Sequence, residues 1–199
     1  MSINAINPRT TTLLLIIVLA AAFRLIQSSP VFSILSNVTP VGAIAIFGGC
    51  YFSSRWKAFL IPLLALWISD LLLNRMYYSD QWSFFSTEMF WTYGSFAVMV
   101  ILGTFVKKVN FLTVGLAGIG AALAHWLITD IGVWIGGVDV TTGLPFTKDW
   151  SGLTKCLGLA VPFLRNMAIG NLVFCGVLFG SFEWMQRSYP VLRQSVGNQ

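Results

Sequence analysis

Charge is what this sequence has least of. Asp, Glu, Lys and Arg make up 10% of its 199 residues, whereas a water-soluble domain carries about 25%. So few charges cannot solvate a globular surface. With 56% hydrophobic residues and a mean hydropathy of +0.78, the chain reads as an integral membrane protein. Cysteine is also sparse. Cys50, Cys156 and Cys175 are odd in number and lie in apolar surroundings, which argues against a disulfide framework and suits small buried side chains. The single histidine, His125, has no ligand spacing to a cysteine, so a satisfied buried ring is expected there, with no metal and no cofactor. Serine-hydrolase elbows, P-loops and dinucleotide fingerprints are missing. Nothing in the sequence points to an enzyme, and any use of ATP would require a partner. Repeats and low-complexity segments are missing as well.

What is present is a series of apolar runs. They predict one all-α membrane domain over residues 1–199, with helices at about 10–27, 38–53, 57–74, 88–106, 111–135 and 160–186. The first run ends in "AAAF", which resembles a signal-peptide cleavage site, but five similar runs follow it, so a retained first helix is expected. The second run is at or below the usual minimum for a span. "WSGLTKCLGLAVPF" reads as a short interfacial helix, after which Pro162 opens the last span.

The net charge of +5 is scattered singly or in pairs, which fits topology better than nucleic acid. With the N-terminus in the cytoplasm, that side holds Arg9, Arg55, Lys57, Lys107, Lys108, Arg187 and Arg193. The other side holds Arg24, Arg75, Lys148, Lys155 and Arg165. The positive-inside rule therefore predicts both termini in the cytoplasm, and the expected location is the cell inner (cytoplasmic) membrane. The inner links "SSRW" and "KKVN" are tight; the outer links are long, as functional loops or lids tend to be.

With this orientation Arg24, Asp70, Asp130 and Arg165 fall at similar depth in the outer leaflet. A charge near the bilayer centre costs roughly 2.5–3.5 kcal/mol on insertion scales, so these side chains should face the bundle interior, a wet cavity or the interface. One reading has Arg24 or Arg165 pairing with Asp70 or Asp130 to lock the bundle; the other has them binding a ligand. The two are compatible, since paired charges can floor a cavity. Trp126, Asp130 and Trp134 recur at i, i+4 and i+8, which sets a carboxylate between two indoles, and Trp67 precedes Asp70 by three residues. Such a face suits a flat or cationic organic solute, although Trp also favours membrane interfaces whatever the function. Asn166 adjoins Arg165, and Asn171 lies deeper, where interhelical hydrogen bonding accounts for it. Gly170, Gly176 and Gly180, and the small-xxx-small pairs Gly176–Gly180, Ala45–Gly49 and Gly118–Ala122, are expected to let helices approach closely.

The segments "NVTPVGAIAIFGGCYF", "AFLIPLLALWISDLLL", "ITDIGVWIGG" and "VPFLRNMAIGNLVF" resemble a family of uncharacterised bacterial six-helix membrane proteins, similar in turn to the substrate-binding S components of energy-coupling-factor vitamin transporters. The resemblance runs in order over most of the chain. It implies a compact bundle of six transmembrane helices with cytoplasmic termini, holding a vitamin-like nutrient near the outer face beneath the outer loops. S components dock their coupling subunit through alanines spaced along the first helix. Here the alanines of "LAAAF" are clustered instead, which leaves room for a solo transporter.

The leading reading is thus a membrane transport protein that captures a small organic solute with Asp70, Trp126, Asp130, Trp134, Arg165 and Asn166, while Arg24 and Asn171 are structural polar residues. Its partners are the lipid bilayer, the solute, and an energising or larger membrane complex if one is used. The runner-up is a non-transporting structural or accessory subunit of such a complex, contacting its neighbours through faces rich in Trp and Phe. An intramembrane enzyme moving protons through Asp70, Asp130 and His125 ranks third.

Overall fold

The computed structural model of the protein describes residues 7–27, 38–78, 84 and 87–193. The expected loop at 28–37 and nearly all of 79–86 lie outside the described residues. Among the described residues six α-helices follow in chain order: α1 (Pro8–Gln27), α2 (Val41–Tyr51), α3 (Arg55–Leu73), α4 (Thr87–Thr104), α5 (Phe111–Gly136) and α6 (Trp150–Ser188). A π-helical turn, Asn74–Tyr78, prolongs α3, and a 3-10 turn, Pro190–Leu192, follows α6. Runs rich in Leu, Ala and Ile favour helix intrinsically. In lipid they have no alternative short of a closed barrel, because every backbone N–H and C=O must be satisfied within the segment. By length and composition, α1, α3 with its extension, α5 and α6 are able to cross a membrane.

The short second helix is the centre of the bundle. At 11 residues α2 is about 16 Å long, half of the roughly 30 Å hydrocarbon layer. All its residues except Cys50 are buried, and it touches each of the other five helices. Its close fit to α4 depends on glycine. A Cβ on Gly49 would lie 2.1 Å from the carbonyl oxygen of Val100, and one on Gly103 would lie 2.3 Å from that of Ile46. Backbone therefore packs on backbone at this crossing, as small residues permit in membranes. Gly170 likewise admits the segment before α2, a Cβ there falling 3.0 Å from the Thr39 nitrogen. Gly176 and Gly180 correct the expectation of close approach: a Cβ on either meets nothing within 4 Å. They line an open groove of about 340 Å³ with the first turns of α5.

Consecutive helices run in opposite directions, so the bundle has two ends. At the Arg9 end, Phe47, Tyr51, Phe179 and Phe182 form an aromatic cluster with ring centroids 4.6 to 5.7 Å apart. Arg9 lies over the Tyr51 and Phe182 rings. Its guanidinium donates to Gln186 Oε1 at 2.9 Å, to the Leu192 carbonyl at 2.7 Å and to the Tyr51 carbonyl at 3.2 Å. One side chain thereby fastens the start of α1 to the ends of α2 and α6. The outward faces are apolar: Leu15 and Leu19 of α1, Leu116 of α5 and Val177 of α6 are all exposed, an inversion of soluble packing that a bilayer satisfies.

The last helix departs from expectation. Instead of an interfacial helix and a separate span opening at Pro162, α6 runs unbroken for 39 residues, about 58 Å, with Pro162 inside it. Proline here forfeits one bond, to the carbonyl of Gly158, which is exposed. The helix starts firmly upstream because the Asp149 carboxylate accepts from the Gly152 N–H at 2.8 Å.

Candidate functional site

At the end opposite Arg9, two polar clusters stand on different sets of helices. In the first, Arg24 of α1 meets Asp70 of α3, with Nη1 2.5 Å from Oδ1. The same guanidinium nitrogen reaches the Ser69 hydroxyl at 2.6 Å, and Tyr93 of α4 donates its hydroxyl to the second Asp70 oxygen at 2.8 Å. Both carboxylate oxygens are thus occupied, and three helices are tied together. Tyr77 adds to this by donating to the Leu25 carbonyl at 3.2 Å. Of the pairings the sequence allowed, Arg24 with Asp70 is the one formed.

In the second cluster, His125, Trp126, Thr129 and Asp130 of α5 and Phe163, Leu164 and Met167 of α6 line a cavity of about 210 Å³. That is the liquid volume of roughly seven waters. Asp130 is half-buried, and its carboxylate enters no ion pair among the described residues; its backbone carbonyl accepts the Cys156 thiol at 3.4 Å. The indole nitrogen of Trp126 is buried without a hydrogen-bond partner among the described residues, a condition that costs about 1–3 kcal/mol unless something enters to accept from it. His125 is oriented from behind, its Nδ1 2.6 Å from the Ser95 hydroxyl. That hydroxyl also lies 2.6 Å from the Thr92 carbonyl. When its one hydrogen goes to Thr92, the ring donates from Nδ1 and Nε2 is left as an acceptor.

The other residues singled out in the sequence lie elsewhere. Trp134 donates its indole N–H to the Thr147 carbonyl at 2.8 Å and carries the Lys148 ammonium above its ring, so it supports the 137–149 link and is outside the cavity wall. Arg165 is exposed and forms no ion pair among the described residues, and Asn166 is half-buried. Neither of these, nor Arg24 or Asp70, is in the wall of the Asp130 cavity. Asn171 is wholly buried between α6, α5 and α2. Its amide donates to the Gly118 carbonyl at 2.9 Å, and a Cβ on Gly42 would come within 2.2 Å of its Oδ1.

The 137–149 link is folded tightly over this end. Val138 and Pro145 form an isolated antiparallel bridge, and Gly143 takes a φ of 70° that favours glycine. Asp139 organises the turn: its Oδ1 accepts from the Thr141 N–H at 2.8 Å and hydroxyl at 2.7 Å, and its Oδ2 pairs with Lys155. The Lys155 ammonium, then the Thr141 donors, hold the Asp139 carboxyl well below the usual carboxylate range. Asp149 is lowered likewise, first by the Gly152 N–H and then by Thr147.

Sequence reasoning did not find Tyr93, Ser69 or Ser95. Each is a neutral hydroxyl in an apolar helix, and the only available signal was its polarity against its surroundings. The three cysteines are free thiols, and no group of three or more His, Cys, Asp or Glu side chains among the described residues is placed to hold a metal ion.

The fold and this site define an all-α bundle in which four helices are long and apolar enough to cross a membrane, with a polar cavity at one end. A family model matches residues 4–192, and the chain belongs to that family, the family of unknown function DUF6580. No curated protein and no solved structure matches the chain.

Proposed function

We propose that the protein is a membrane transport protein that binds a small organic solute in the cavity between α5 and α6. The supporting observation is that one cavity wall contains two groups without a partner among the described residues: the Asp130 carboxylate, which enters no ion pair, and the buried Trp126 indole N–H, which finds no acceptor. Polar groups so placed are costly when empty. The best-matched solute presents a cationic or donor group to Asp130 and an acceptor to Trp126, with an apolar body against Phe163, Leu164 and Met167. At about 210 Å³ the cavity suits a ligand below drug size. Arg24 and Asp70 neutralise each other alongside, which leaves Asp130 as a carboxylate without an ion-pair partner among the described residues. Seven Lys and Arg residues at the Arg9 end against five at the other favour placing the Arg9 end in the cytoplasm, so that the cavity faces outward beneath the 137–149 link. The six-helix, vitamin-carrier-like architecture suggested by the sequence belongs to this proposal.

Mass spectrometry of ligand retained by gently purified protein identifies the solute. Asp130→Asn and Trp126→Phe should then each lower its affinity at least tenfold without loss of fold, whereas unchanged affinity in both overturns the assignment. One observation favours the accessory-subunit reading. The groove at Gly176 and Gly180 is open, as a face awaiting a partner helix would be. Recovery of a stoichiometric large assembly from native detergent, without a bound solute, would decide for it.

A further inference from the structure

We infer that the Arg9 end carries a second, independent site that binds a phosphate group. Arg9, Lys57 and Arg193 line one cavity of about 250 Å³, together with Asn7, Thr10 and Ser53, and its wall contains no Asp or Glu. None of the three cations enters an ion pair among the described residues. Glu183 neighbours Arg9 but is engaged: its carboxylate accepts from the Tyr51 hydroxyl at 2.6 Å and from the Gln186 amide at 3.0 Å.

The cations come from three separate parts of the chain. Arg9 opens α1, Lys57 lies in the first turn of α3, and Arg193 follows the turn after α6. Two of the three are already positioned. Arg9 is fixed by its bonds to Gln186, Leu192 and Tyr51, and Arg193 donates to the Gln186 carbonyl at 3.0 Å and the Arg187 carbonyl at 3.3 Å. Preset donors of this kind recognise an anion with several oxygens at low ordering cost. The start of α3 adds to the field, because its cap residue, Ser54, makes no side-chain cap bond and leaves first-turn N–H groups for an acceptor. A carboxylate would satisfy one or two of these donors. A phosphate offers enough oxygens for all three cations and the hydroxyls of Thr10 and Ser53 together. The site sits where the apolar run of α1 begins, so the phosphate has two sources: the headgroup of an anionic phospholipid, or soluble phosphate.

The test uses the full chain in neutral detergent. Native mass spectrometry compares retention of phosphatidylglycerol and phosphatidylcholine, while thermal unfolding is followed with inorganic phosphate against chloride at equal ionic strength. Preferential retention of one phosphatidylglycerol is expected, weakened about fivefold by Lys57→Gln and about fivefold by Arg193→Gln. Both substitutions avoid Arg9, whose loss would loosen the bundle. Stabilisation by inorganic phosphate without lipid selectivity, removed by the same variants, supports the site with a soluble source. Equal retention of both lipids with no response to phosphate overturns the site, as does retention that neither variant changes.

Discussion

The two ends of the bundle each combine matched polar groups with a cavity, but of opposite charge: cations line the one at Arg9 and a carboxylate the one at Asp130. At the Arg9 end the interior groups close on one another: Arg9 spreads over two carbonyls and an amide, and Tyr51 and Gln186 share Glu183. At the other end Arg24, Asp70 and Tyr93 also close, yet on α5 the Asp130 carboxylate and Trp126 indole stay open around a cavity. Burial alone does not separate structural from functional polarity here. Completeness of hydrogen bonding helps only together with open space: Asn171 Oδ1 is as unmatched as the Trp126 indole, but it is packed toward Gly42 and away from the Asp130 cavity wall, whereas Trp126 lines that cavity.

Breaking the frame that both ends share should have the largest effect. Gly103→Val would drive a branched side chain into the Ile46 carbonyl, where even a Cβ falls 2.3 Å away. Overpacking typically costs 1–3 kcal/mol, and more where the obstacle is backbone. Loss of a folded, monodisperse protein on size exclusion is the expected result. Next comes the Arg9 end. Arg9→Gln removes three hydrogen bonds and two cation–ring contacts, and should lower stability by about 2–4 kcal/mol, measured by thermal unfolding.

The contrast sharpens with Arg24→Gln. It leaves Asp70 held by Tyr93 alone, a loss of about 1–2 kcal/mol for a pair that keeps some contact with solvent. Solute affinity should stay within about twofold, because Arg24 is absent from the Asp130 cavity wall. A fall as large as that of Asp130→Asn would mean that the two clusters act as one site.

Much of this molecule is legible in its sequence, for physical reasons that differ by element. The extents of α1, α3 and α5 are visible because each is a long apolar run flanked by charge, and the Asn110–Thr113 capping box marks where α5 starts. The central position of α2 is not visible: a short apolar run looks the same whether buried by protein or by lipid. The start of α6 is hidden because Pro162 imitates a helix start, while the true cap, Asp149, lies in a polar link that also reads as loop. Charge placement within the site was read only in part. Helical spacing sets Trp126, Asp130 and Trp134 on one face, but the partner of each is chosen by tertiary contact: the 137–149 link takes Trp134 and leaves the other two to the cavity.

That cap supplies a smaller effect. Asp149→Ala removes the acceptor for the Gly152 N–H and should cost about 1 kcal/mol. The loss should appear as faster amide exchange in the first turns of α6, with the Arg9 end unaffected.

The smallest effect is a pH dependence confined to the 137–149 link. Because the folded-state pKa of Asp139 is depressed by Lys155 and Thr141, its contribution is fully present above the ordinary carboxylate range, about pH 4. It is lost as pH falls below that range through the lowered folded value. From pH 5 to 8 the Thr141 and Gly143 amides should therefore exchange at an unchanged degree of protection, and in stronger acid that protection should decline before the helices unfold. Asp139→Asn should impose the acid behaviour at neutral pH, since it deletes the charge that holds Lys155. If the variant keeps wild-type protection, the backbone bonds of Thr142 and Gly143 to the Asp139 carbonyl, at 3.1 and 2.7 Å, are sufficient to hold the turn, and the closed character of this link then rests on its backbone alone.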